Sequence, residues 1–300
     1  IPEGGTTIVA KNAIFGINLE SIKPGVTQIG DNFFSECTSL TDINLSGLSD
    51  VTEIGESFLH LCTSLKEVDL SGLTNVTSIK DDFLSGSDSG SKNMSIETLD
   101  LSPLSNVTSI GNEFLFRNAA LTSVDLTALT EVTEFGEHFL SRCTSLESVD
   151  LSAFSKVQSI GRSFCSHCKA LKSIDMSAFK SVTWVGHYFC GDCTGLTSAD
   201  LSGFINVETL DYYFMSECSS LESLDISMLT ALKNIGYAFM QECDALARLD
   251  LPDIDPTTFA VESDRFMNNV PSSCKLYARS DLVALYNDTS PWNKRTIETR

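Results

Sequence analysis

The sequence predicts an α/β solenoid of about ten stacked coils, each 25 residues long. Two observations carry this. A V-T-x-I-G signature recurs at Val26, Val51, Val76, Val107, Val132, Val157 and Val182, with looser copies at Val207 and Leu232. Its spacing is 25 residues throughout, except for 31 between Val76 and Val107. A phenylalanine column keeps the same period: Phe33, Phe58, Phe83, Phe114, Phe139, Phe164, Phe189, Phe214 and Phe239, with Phe266 a less regular tenth copy. A unit this short cannot bury an apolar face alone, and stacking does it.

The first element of each unit is a strand. In "LKEVDL" the apolar residues are Leu65, Val68 and Leu70. The last two alternate with a polar residue, the period of a half-buried strand. Leu121, Val124, Leu126 and Leu221, Leu224, Ile226 repeat the pattern. Stacked strands form a parallel sheet along one side, expected to be the concave side. Gly30, Gly55, Gly111, Gly136, Gly161, Gly186 and Gly236 end the V-T-x-I-G signature and are expected to take a tight corner. Lys80 and Asp211 replace that glycine, so the corner does not strictly require a positive φ.

The second element is "ESFLHLCTSL". Phe58, Leu59, Cys62 and Leu65 fall on one face of a helical turn or short helix. Polar residues such as Asp31, Glu56 and Asn112 just after the glycine slot suit a helix start. The six extra residues of the long interval sit in "SGSDSGSKNMS" from Ser85, a composition that reads as a surface loop.

These residues resemble a known family. L-x-x-I-x-L followed by I-G-x-x-F-x-x-C is the pattern of BspA-like leucine-rich repeats, found in surface proteins of gut and oral bacteria and of some protists. The resemblance covers roughly residues 14 to 286, and "CKLYARSDLVALYNDTSPW" from Cys274 resembles the closing segment of these arrays, a last strand and then a short helix. It implies a single leucine-rich repeat domain over 1–300: an N-terminal cap and first strand at 1–25, repeats at 26–270 and a C-terminal cap at 271–300. It also implies extracellular adhesion or ligand binding at a cell surface, with any signal or anchor outside this sequence. One departure is that the strand's polar position, varied in the family, is here almost always Asp.

The chain carries a formal charge of −20, which disfavours nucleic acid as a partner. Acidic surfaces mainly keep a protein soluble, and they also admit basic proteins or cations. No apolar run reaches membrane-spanning length.

Ten cysteines are too sparse for a small disulfide scaffold. Cys37, Cys62, Cys143, Cys168, Cys193, Cys218 and Cys243 share one slot, and Asn118 or the shifted loop takes it elsewhere. This reads as a buried stack of thiols filling a small apolar slot. Disulfides along it would need helices closer than packed helices come. Cys165, Cys168, Cys190 and Cys193 approach a four-thiolate zinc spacing, with His167 and His187 nearby. The repeat explains them better: Cys168 and Cys193 belong to the column, while Cys165 and Cys190 take the apolar slot of Leu59, Leu140 and Met215.

The distinctive surface feature is an acidic row. Asp69, Asp100, Asp125, Asp150, Asp175, Asp200, Asp225 and Asp250 each stand between two inward apolar residues and so point outward. Asn44 takes the slot early in the chain. In-register like charges repel, so hydrogen bonds from neighbouring Ser and Thr, bound cations or a cationic partner must offset them. An Asp–Ser hydrogen-bond ladder is the favoured reading, since a flat row supplies too few oxygens for calcium.

Function is expected to reside in this face, with Lys66, Glu67, Glu147 and Glu222 beside the Asp row, presented to a protein or glycan, host matrix included. The alternative is a structural spacer in a larger surface protein. The chain is expected to be monomeric, without cofactor and without enzymatic activity. The N-x-S/T triplets at Asn44, Asn75, Asn93, Asn106 and Asn287 would be glycosylation acceptors in a eukaryotic secretory route, and the Ser/Thr-rich slots explain them as chance. His60, His138, His167 and His187 have no catalytic partner set by spacing.

Overall fold

The computed structural model describes residues 7–8, 16–21, 25–87, 89, 93–262 and 265–300. Most of the expected N-terminal cap therefore lies outside the described residues, as do four positions of the 85–95 insertion. The chain forms two compact units, Ile1–Lys156 and Val157–Arg300.

Each unit is a stack of coils carrying two series of short strands rather than one, the second interrupted between Asp69 and Ser173. In the first unit the V-T-x-I segments pair in a six-stranded parallel sheet: Thr7–Ile8, Gln28–Ile29, Glu53–Ile54, Ser78–Ile79, Ser109–Ile110 and Glu134–Phe135. The strands that lead into the Asp row, Ile17–Asn18, Asp42–Asn44 and Glu67–Asp69, form a three-stranded parallel sheet, followed by an isolated Asp100–Asp125 bridge. In the second unit the V-T-x-I series is five-stranded: Ser159–Ile160, Trp184–Val185, Thr209–Leu210, Asn234–Ile235 and Ala260–Val261. There Ser173–Asp175 pairs with Ser198–Asp200, and Ser223–Asp225, Arg248–Asp250, Lys275–Ala278 and Ile297–Thr299 form a four-stranded parallel sheet.

The segment expected to be helical is a run of turns with alternating handedness. Ser57, Leu59 and Leu61 have φ of 58°, 53° and 59°, and the same three slots recur as Tyr188, Cys190 and Asp192 at 58°, 49° and 55°. The reason is spacing. Parallel strands fix the rise between coils at about 4.8 Å, whereas a helix with its side chains is about 10 Å across. Helices cannot stack at that rise, and a flattened chain can.

The left-handed residues turn their N–H groups between coils. Ser57 N donates to Asp81 O at 2.9 Å, Leu59 N to Phe33 O at 2.9 Å and Leu61 N to Ser85 O at 2.8 Å. The right-handed residues between them close local turns, as His60 N does on Ser57 O and Cys62 N on Leu59 O. A left-handed non-glycine residue costs about 1–2 kcal/mol. Each inter-coil hydrogen bond returns about 1 kcal/mol, and the run also sets Phe58, Leu59, Cys62 and Leu65 fully inside.

Those phenylalanines build the core. Ring centroids along Phe33, Phe58, Phe83, Phe114 and Phe139 are 5.5, 5.1, 5.3 and 5.3 Å apart. Along Phe164, Phe189, Phe214, Phe239 and Phe266 they are 5.7, 5.2, 5.7 and 5.6 Å apart. The expected closing segment follows in the second unit: Lys275–Ala278, a helix at Val283–Asp288 and a short turn at Trp292–Lys294. Trp292 is fully buried and meets the Phe266 ring edge-on at 4.9 Å, closing the phenylalanine stack.

The corner glycines are not left-handed; the positive-φ glycine among the described residues is Gly25. At Gly55 an added Cβ would lie 2.7 Å from Asp31 N and 2.8 Å from Gly30 C. The slot is small because the preceding coil's backbone passes against it.

Candidate functional site

The Asp row has a structural origin. From Asp69 to Asp225 each carboxylate accepts the backbone N–H two residues on, closing a turn at the strand's end; Asp250 cannot, because Pro252 carries no N–H. Ser71 N donates to Asp69 Oδ1 at 2.9 Å, Ser102 N to Asp100 at 2.9 Å, Ser152 N to Asp150 at 2.9 Å and Ser227 N to Asp225 at 2.8 Å. Asn44 does the same for Ser46 N at 2.9 Å. Asp is selected because a short side-chain oxygen can stand in for a turn carbonyl. The expected Asp–Ser ladder is thus formed mainly within each coil, to backbone N–H. A hydroxyl joins at Thr127, whose Oγ1 donates to Asp125 Oδ1 at 2.6 Å. These bonds hold the Asp125 and Asp150 carboxyls below their ordinary value, the side-chain bond from Thr127 or Ser152 contributing most.

Asp69, Asp100, Asp125, Asp150, Asp175, Asp200 and Asp225 are exposed, as are Lys66, Glu67, Glu147 and Glu222. Asp175 stands opposite Asp200 across a parallel pair, and Asp225 opposite Asp250. Asp250 departs from the outward expectation. It is 5% exposed, and Arg248 grips it with Nε at 2.6 Å and Nη2 at 2.7 Å. The break in pattern is legible: Arg248 replaces the Ser of Ser173, Ser198 and Ser223, and its guanidinium lies 4.0 Å from the Tyr277 ring centroid.

The thiol slot is more specific than an apolar filler. The Cys62 thiol donates to Phe34 O at 3.0 Å, Cys143 to Leu115 O at 3.2 Å, and Cys193, Cys218 and Cys243 to Cys165 O, Cys190 O and Met215 O at 3.1 Å. Each acceptor is the middle left-handed residue of the preceding coil. The spacing objection to disulfides fails here, because coils rather than helices stack; even so, Cys62, Cys143, Cys193, Cys218 and Cys243 are free thiols aimed at carbonyls. Burial pushes Cys62, Cys143 and Cys243 up to about 12. Cys165, Cys168, Cys190 and Cys193 are all buried. Among the described residues no group of three or more His, Cys, Asp or Glu is arranged to hold a metal ion.

Spacing does give histidines partners, one coil away. His167 Nδ1 lies 2.7 Å from Asp192 Oδ2, and His187 Nε2 lies 2.9 Å from Asp211 Oδ2. His60 Nδ1 lies 2.6 Å from Ser85 Oγ and 3.8 Å from Asp82 Oδ1. This trio is no nucleophile relay. Both partners meet the same ring nitrogen, and Ser85 is fully buried. The asparagines of two N-x-S/T triplets hold the preceding coil: Asn75 Nδ2 on Ser49 O and Asn106 Nδ2 on Thr74 O, each at 2.8 Å. Asn206, which lies in no such triplet, makes the same bond to Lys180 O at 2.8 Å. Asn in this slot thus has a structural use, whether or not a triplet follows, although other coils fill it with Asp50, Glu131, Lys156, Ser181 or Ala231.

The insertion is anchored at its ends. Ser85 and Met94 are buried, and Ser95 Oγ donates to Thr63 O at 2.6 Å.

Two series of short parallel strands on a 25-residue repeat, with a stacked phenylalanine core, define a leucine-rich repeat solenoid. The chain belongs to the BspA type leucine-rich repeat family, whose repeat region matches residues 1–99, 87–197 and 152–270. Proteins of this type are generally surface or secreted binding modules. A leucine-rich repeat protein from Bacteroides ovatus is 18% identical over 88% of this chain, with a TM-score of 0.55, and this chain spans 63% of that protein. The pneumococcal vaccine antigen PcpA is 16% identical over 98% of this chain and 79% of its own, with a TM-score of 0.47. A leucine-rich cell surface protein from Faecalibacterium prausnitzii is 17% identical over 93% of this chain and 92% of its own, with a TM-score of 0.35. No curated protein sequence matches the chain.

Proposed function

We propose that the chain is a non-enzymatic adhesion or ligand-binding module of a surface or secreted protein, acting as one solenoid domain. Its contact face is the exposed part of the Asp row, from Asp69 to Asp225, with Lys66, Glu67, Glu147 and Glu222. The observation that supports this reading is the in-register exposure of these carboxyls, as at Asp175 opposite Asp200. Such a row presents a regular acidic surface to a protein or glycan partner, host matrix included.

Asn44 shows how to test it. Asn keeps the turn and removes the charge, so Asp175→Asn, Asp200→Asn and Asp225→Asn together preserve the fold. Binding of the wild-type chain to immobilised matrix proteins and glycans, lost in this triple variant, supports the face as the site. Equal binding by both removes it. Absence of any binding, with or without the 85–95 insertion, favours the spacer reading.

A further inference from the structure

Four of the chain's six tyrosines lie within three consecutive coils of the second unit, outside the Asp strands. Tyr188 and Tyr213 stack at 4.4 Å with 7° between their planes. Tyr212 and Tyr237 are 4.4 Å apart, and Tyr213 and Tyr237 meet edge-on at 5.0 Å. His187 continues the row, 4.8 Å from Tyr212. None of the four tyrosines is buried.

The scaffold does not need these rings. The slot of Tyr188 and Tyr213 holds Ser57 and Ser163 in other coils, and the slot of Tyr212 and Tyr237 holds Glu56, Asn112 and Arg162. The coils fold alike with either content. In a repeat protein, a departure confined to neighbouring copies of a surface slot marks a surface put to use.

Carboxylates border the rings. Four residues after Tyr188 and Tyr213, the last left-handed slot holds Asp192 and Glu217, and Glu242 follows in the next coil. Backbone bonds from Asp192 N to Ser216 O and from Glu217 N to Gln241 O place the three side by side. Asp192 is partnered by His167 at 2.7 Å and Lys169 at 3.2 Å. Glu217 is exposed and stands between two like charges. Burial of part of its carboxyl, and then Asp192 and Glu242, raise it above the ordinary value, and its charge is felt at Tyr188. Two polar atoms beneath this surface lack a partner among the described residues: Ser216 Oγ, on a residue 1% exposed, and Gln241 Oε1, on a residue 7% exposed. At Gly191 an added Cβ would stand 3.3 Å from Tyr188 Cδ1 and 3.5 Å from Ser216 Oγ, so the glycine lets the ring and the hydroxyl lie close against its backbone.

We propose that the surface formed by Tyr188, Tyr213 and Tyr237 with Glu217 and Glu242 docks a basic, arginine- or lysine-bearing protein segment. The ring edges take the aliphatic stems of such side chains. The carboxylates and tyrosine hydroxyls accept from their charged heads. Tyrosine-rich surfaces are effective contacts because the rings are large, stiff and polar at one end. The chain's charge of −20 steers a basic segment toward it. This surface is separate from the Asp face and does not depend on that reading.

The test uses the whole chain and a fluorescent Ser-Arg octapeptide, by anisotropy at physiological salt. The variant Tyr188→Ser, Tyr213→Ser, Tyr237→Asn copies residue types found in the same slots and leaves net charge unchanged. A loss of tenfold or more in affinity is expected, with the melting transition retained. A second variant, Glu217→Gln with Glu242→Gln, is expected to lose about as much, and it carries the test if the aromatic variant fails to fold. The Asp175, Asp200 and Asp225 to Asn variant should bind as wild type. Equal affinity in wild type and the first two variants, no peptide binding at all, or a neutral oligosaccharide bound in place of the peptide through these tyrosines would each overturn the proposal.

Discussion

Asn118 Nδ2 donates to the Leu84 carbonyl at 2.8 Å, taking the place that the Cys62 thiol takes on the Phe34 carbonyl at 3.0 Å. A residue that looks like a break in the cysteine column is therefore a substitute within it. What the slot requires is a compact donor aimed at the preceding coil. Asn meets this imperfectly: its Nδ2 also reaches Leu115 O at 2.9 Å, but its Oδ1 is buried without a partner among the described residues.

Asn118→Cys should therefore stabilise the protein. The thiol restores the donor to Leu84 O, and the orphaned amide oxygen disappears. Relief of a buried unsatisfied polar atom is worth about 1–3 kcal/mol, from which the weaker thiol bond subtracts. A net gain of about 1 kcal/mol is expected as a higher urea midpoint at unchanged slope. A lower midpoint would show that the slot is tuned to Asn.

The thiol column should be silent toward thiol reagents while folded and should set an alkaline limit. Cys62, Cys143 and Cys243 are pushed up to about 12 by burial, from an ordinary 9.0. The folded state holds these protons more tightly than the unfolded chain. Their contribution to stability is complete below pH 9 and is lost as pH rises from 9 toward 12. A disulfide reagent at pH 8 should label these cysteines only at the rate of unfolding. Fast labelling in native buffer would contradict the packing.

The acid side has the opposite sign. Hydrogen bonds hold Asp125 and Asp150 below the ordinary 3.8. Their contribution is complete above that value and is lost below it, as pH falls toward and through the lowered native value. Glu217, raised above its ordinary value, acts against them, so Glu217→Gln should raise the melting temperature at pH 7. Calorimetry between pH 3 and 7 separates the two effects.

Two members of one row should respond differently to the same change. Asp225→Asn keeps the turn that Asn44 makes, so a change within about 0.5 kcal/mol is expected, as for an exposed site. Asp250→Asn strips the charge from a buried bidentate partner of Arg248 and should cost about 1.5–3 kcal/mol. Denaturant midpoints of the two variants, read side by side, decide whether the row is uniform.

The phenylalanine stack should dominate stability in each unit. Phe83→Ala removes a fully buried ring stacked at 5.1 and 5.3 Å on its neighbours. The expected cost is about 3–5 kcal/mol. Hydrogen exchange should show the loss spreading to the coils on either side.

The period, the inward residues and the family were legible in the sequence, because a repeat averages out local noise. Phe58, Cys62 and Leu65 recur at fixed offsets and can only be core. The same offsets suggested a helical face, and local spacing could not exclude it. The decision came from stacking: parallel strands fix a rise near 5 Å, helices do not fit it, and Ser57, Leu59 and Leu61 turn left-handed so that their N–H groups reach the neighbouring coils. The Asp row was legible as a surface, and its cause, a turn closed on the next Ser or Thr N–H, was set by backbone geometry. The tyrosines read as unremarkable polar-slot residues in sequence. Tertiary structure alone put Tyr188 on Tyr213 and set Glu217 beside them, because coils 25 residues apart in sequence lie one strand spacing apart in space.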